Sequence, residues 1–83
     1  MTEEQIERMT KAIAVWGKRN NIRPVDFMRN MDWSHNYSWM ILRGKFPFKE
    51  ASWGRFICAY GMTALNELFE IAEIDPEKIN ADA

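Results

Sequence analysis

Apolar residues recur along this chain at spacings of three and four, and no stretch sustains the period-two alternation of a half-buried strand. The pattern predicts an all-α protein. Thr2 and Gln5 have the spacing of a capping box, and Ile6, Met9, Ile13 and Trp16 then share one face, so a first helix is expected over about residues 3–19. Asn20, Asn21 and Ile22 form a short connection. Pro24 suits the first turn of a second helix, where no backbone donor is needed; this helix runs to about Asn30 and turns Phe27, Met28 and Met31 inward. Ser34 is placed to cap a third helix from His35 to Arg43, which Gly44 ends and Pro47 prevents from continuing. A fourth helix, from about Lys49 to Tyr60, buries Trp53, Phe56, Ile57 and Tyr60. Gly61 stops it, and Thr63 caps a fifth that buries Leu65, Leu68, Phe69 and Ala72.

Composition sharpens this picture in two ways. With 83 residues there is room for one core, and the apolar set is bulky: four Trp, five Phe, two Tyr and six Met. A few large side chains then fill the interior. The expected organisation is one domain over residues 1–74 and an acidic tail over 75–83. Cys58 is the only cysteine, which excludes an internal disulfide framework and a multi-cysteine zinc site and points to a reducing, cytoplasmic setting. Cys58 itself reads as a small buried hydrophobe of the fourth helix. No apolar run reaches the roughly 18 residues of a membrane span, and the opening MTEEQIERM lacks the form of a secretory signal.

The net charge of −1 hides a strong asymmetry. Residues 23–55 carry Arg23, Arg29, Arg43, Lys45, Lys49 and Arg55 against Asp26, Asp32 and Glu50, a local excess of positive charge. Residues 56–83 carry only Lys78 against Glu67, Glu70, Glu73, Asp75, Glu77 and Asp82. The total argues against a strongly basic nucleic-acid binder, but the basic charge sits in the middle segment and the acidic charge at the end.

That middle segment has a recognisable spacing. Ile22 precedes the second helix, Phe27 and Met31 sit at its buried positions, Trp33 and Ser34 open the third, and Gly44 follows ten residues after Ser34. Downstream come Ala59-Tyr60-Gly61-Met62-Thr63 and then Glu67-Leu68. Across residues 22–69 the chain resembles the Cro/repressor-type helix-turn-helix family. It departs from the pattern at Met28, where relatives carry a small residue, and at Ser38, where an apolar one packs against it. Asp32 replaces the turn glycine, and Pro24 replaces a glutamine that touches phosphate.

The resemblance implies a compact five-helix, lambda-repressor-like domain whose second and third helices form the helix-turn-helix. It also implies a sequence-specific transcriptional regulator acting on double-stranded DNA as a homodimer, with the third helix in the major groove. At ~100° per residue, the third helix turns Ser34, Tyr37, Ser38, Ile41 and Leu42 to one side and His35, Asn36, Trp39, Met40 and Arg43 to the other. The second set, with Lys45, is the expected DNA surface. Asn can pair bidentately with adenine and Arg with guanine, while Lys45 suits a phosphate. For His35 a solvated imidazole competes with a DNA contact. Phe46 and Phe48 either cap the core or form a subunit interface, for which Ile71 and Ile74 are the other candidates. The alternative reading is the same fold used as a protein-interaction module, antitoxin-like, anchored by Trp39, Met40 and Phe46. No nucleophile elbow, phosphate loop or carboxylate pair suggests an enzyme, and no ligand set suggests a metal, cofactor or small-molecule substrate.

Overall fold

Thr2 and Gln5 exchange two hydrogen bonds, Gln5 N to Thr2 Oγ1 at 3.1 Å and Thr2 N to Gln5 Oε1 at 2.9 Å, and so start helix α1 (Glu3–Arg19). The computed structural model describes residues 1–79, in which α2 (Pro24–Met31), α3 (His35–Leu42), α4 (Trp53–Tyr60) and α5 (Met62–Ala72) follow. Among the described residues there is no strand, and no helix is long and apolar enough to cross a membrane.

The helix ends follow from local chemistry. Ile22 N bonds Gly17 O and Asn21 N bonds Lys18 O, with Asn21 left-handed at φ 54°, closing α1 with paired carbonyls. The same device ends α3: Lys45 N reaches Met40 O at 2.9 Å, Gly44 N reaches Ile41 O at 3.0 Å, and Gly44 adopts φ 69°. At the start of α2, the Asp26 carboxylate accepts from Arg23 N at 2.8 Å. That bond, then the Arg23 side chain and the charges of Arg23 and Arg29, hold the Asp26 carboxyl below its ordinary value of 3.8. A lowered folded-state pKa stabilises the fold above the unfolded value and loses that contribution as pH falls through the folded one. Asp26→Asn is therefore expected to lower the urea midpoint at pH 7 and to lie nearer the parent at pH 3; an equal gap at both pH values would remove Asp26 from the acid response.

Three expected boundaries shift. α4 begins at Trp53, because Glu50–Ser52 form a separate 3-10 turn. α5 begins at Met62 directly after Gly61, whose φ of 92° breaks the chain direction, so Thr63 lies inside the helix and not at its cap. The expected tail is not uniformly separate from the domain: Asp75 caps a turn over Pro76–Lys78, and Ile79 is buried in the core. Residues 80–83, the rest of that tail, lie outside the described residues.

Packing is organised by aromatic edges. Phe56 is fully buried, with its ring 5.0 Å from Trp16, 5.7 Å from Phe48 and 5.3 Å from Tyr60. From Tyr60 the contacts continue to Phe27, Trp33, Tyr37 and Phe46, so the core reaches the underside of α3 through one connected set of rings. α1 lies against α5 and α3, and α2 against α3. Phe48 is completely buried, which decides between the two alternatives for it: it fills the core and is not available to a subunit interface. Met28 was expected inward and is 37 % exposed, because α2 packs through Phe27 and Met31. Cys58, expected to be buried, is exposed: it lies about 200° around α4 from Phe56.

One buried polar group ties the loop after α3 to α1. Thr10 Oγ1 donates to Ile6 O and accepts from the buried Phe48 N at 3.1 Å. Thr10→Val keeps the shape but leaves that amide without a partner, at an expected cost of about 1–3 kcal/mol. Urea unfolding checks this; an unchanged midpoint would mean that the loop relaxes to satisfy the amide elsewhere.

Candidate nucleic-acid interface

α2 and α3 pack on one another across a three-residue connection, Asp32 to Ser34. Asp32 takes the left-handed conformation at φ 55° and ψ 37°, which an aspartate tolerates better than most residues. Trp33 turns its ring to Phe27, and the Ser34 hydroxyl accepts from Tyr37 N at 3.1 Å to start α3. Arg55, from α4, donates to the Met31 carbonyl at 3.0 Å and so satisfies an end carbonyl of α2. Asn30 at the same end donates to the Tyr60 hydroxyl at 3.1 Å. The junction is thus held by two contacts with α4 that the sequence does not place there.

The inward face of α3 is Ser38 and Ile41, both fully buried, with Tyr37 and Leu42 half-buried. Ser38 is not an unpaired polar group, since its hydroxyl donates to Ser34 O at 2.8 Å. On the other side His35, Asn36 and Arg43 are exposed, as is Lys45 just beyond, and Trp39 is 37 % exposed. Met40 departs from this set, being half-buried. The outward positions expected from helical geometry therefore come together, apart from Met40, on a helix without any acidic residue.

Arg43 and Trp39 act as a unit: the guanidinium carbon stands 4.4 Å over the centre of the indole. Stacking holds a guanidinium flat while its N–H edges stay free to meet a carboxylate, phosphate or guanine edge. Beside this pair, the ends of α1 and α3 and the start of α2 enclose an open groove of about 970 Å³ that also carries Lys18, Arg23 and Lys45. Lys18 and Arg23 were not expected at this surface; nothing in the spacing of either residue relates it to α3. Gly17 shapes the groove's floor, since a Cβ there would stand 2.6 Å from Leu42 Cδ2. The second candidate surface contains Ile71 and Ile74, both half-buried, and lies on α5 and just after it.

Comparison with protein-family models, with curated proteins and with solved structures gave no match to this chain.

Proposed function

We propose that this protein is a sequence-specific DNA-binding regulator of the Cro/repressor helix-turn-helix type, which inserts α3 in the major groove of a two-fold symmetric site. The observation that carries the reading is the α2–α3 unit: two eight-residue helices joined by a left-handed Asp32, a Ser34 cap and an acid-free outward face bearing Asn36 and Arg43. Those two side chains have the donor and acceptor patterns that read adenine and guanine edges. Lys45 and His35 lie exposed just past one end and at the other end of α3, where phosphates flank the groove. A homodimer would present two copies of α3, and the interface for it would use Phe46 or the Ile71 and Ile74 surface.

A second reading has an observation of its own. Trp39, Met28 and Val25 are all more than a third exposed, and apolar groups of that size mark protein contacts more often than base readout. In that reading α3 is the centre of a protein-interaction face.

Selection of randomised duplexes on the immobilised protein at moderate salt decides between them. Enrichment of a two-fold symmetric motif, with affinity falling steeply as salt rises, is the result expected for the regulator. No enrichment from a folded sample would transfer the function to the protein-interaction reading.

A further inference from the structure

We infer that the groove between the ends of α1 and α3 and the start of α2 is a docking site for an acidic amphipathic helix of a partner protein. Its floor is apolar, with Val15, Ile22, Trp39 and Leu42, and Val15 and Trp39 are 39 % and 37 % exposed. Its walls carry Lys18 from α1, Arg23 from the start of α2, and Arg43 and Lys45 from the end of α3. Among the described residues no aspartate or glutamate lines it. Among the described residues Lys18, Arg43 and Lys45 enter no ion pair; only Arg23 is engaged, by Asp26 at 3.4 Å. Four cations around an apolar strip, three of them outside any ion pair among the described residues, fit a helix whose apolar stripe is flanked by carboxylates.

Other occupants fit less well. A small molecule needs an enclosed site that buries most of its surface, and this groove is open. A phosphate backbone uses the cations but gains nothing from the apolar floor. The carbonyl ends of α1 and α3 contribute partial negative charge, each a fraction of an elementary charge, against four full positive charges, so an anionic partner is still favoured. The walls are also preorganised, because the left-handed Asn21 and Gly44 lock the chain where each helix ends. Trp39, Arg43 and Lys45 belong to the proposed DNA face as well, so the docked helix and an operator would compete. The docking itself does not depend on the DNA reading.

The test is selection of a displayed library of random 16-residue peptides on the full chain, without DNA. The expected winners are acidic, with aromatic or aliphatic residues at helical spacing. A synthesised winner, measured by fluorescence anisotropy, should lose about tenfold or more in affinity against the Lys18→Glu/Lys45→Glu variant. It should also weaken against Trp39→Ala. Both lysines are exposed and, among the described residues, enter no ion pair, and circular dichroism shows whether each variant retains the fold. Winners without acidic excess, or equal binding to the charge-reversed variant, would overturn the proposal. So would a charge-reversed variant that loses duplex affinity while no peptide is enriched; the groove cations would then belong to a DNA contact.

Discussion

Phe56→Ala is expected to cost about 3–5 kcal/mol, the range for truncating a fully buried phenylalanine. An 83-residue domain has roughly 4–12 kcal/mol in total at 0.05–0.15 kcal/mol per residue, so this one change removes a large share of it. The site explains why the upper part of the range applies. Phe56 is completely buried among three rings from three different segments, Trp16, Phe48 and Tyr60, and a cavity there has rigid aromatic walls that collapse poorly. For a domain of this size each kcal/mol moves the midpoint by roughly 4–8 °C, so Tm should fall by more than about 12 °C. Thermal unfolding followed by circular dichroism measures it. Phe46→Ala is the control, because Phe46 is half-buried and ends the row of rings instead of standing at their crossing. If the two variants lose the same stability, the core is not centred where the ring contacts place it.

Four helix boundaries are legible in the sequence from local motifs, whereas Thr63, read as a cap, lies inside α5. Thr2 with Gln5, Pro24, Ser34 and Gly44 act within four residues of themselves, and each is found in its expected role. Short helices are harder to orient. α2 and α4 have eight residues each, so one apolar residue can shift the apparent face by a full position, which is how Met28 reads as buried. Cys58 shows the opposite failure: its apolar neighbours outweigh its angular position on α4. The least legible groups act across long sequence separations. Arg55 bonds a carbonyl 24 residues away, and Thr10 bonds an amide 38 residues away. No local period carries that information, and the same holds for Lys18 and Arg23 at the groove. Of the candidate surface, the exposed polar side of α3 can be read from angles alone, whereas the stacking of Arg43 on Trp39 and the partial burial of Met40 depend on how α3 is seated.

The double variant Asn36→Ala/Arg43→Ala is expected to lose about 2–6 kcal/mol of specific DNA binding, at roughly 1–3 kcal/mol for each bidentate contact. The residues are seven apart along the helix, a rise of about 10 Å, so they address different base pairs and their losses should add. That range corresponds to a factor of roughly 30 to more than 10⁴ in affinity. Both side chains are exposed, so stability should move by only about 0.5 kcal/mol, apart from the cation–π contact that Arg43 makes with Trp39. Anisotropy titrations with a selected duplex and with a scrambled one separate specificity from attraction to phosphate. The selected duplex should fall to the level of the scrambled one, while Lys45 and His35 preserve the weak, salt-sensitive binding common to both. Unchanged affinity for both duplexes, in a variant that unfolds at the parent's midpoint, would remove α3 as the reading element. Loss of both affinities together would instead make Arg43 a phosphate contact, leaving the sequence preference to be carried by other positions.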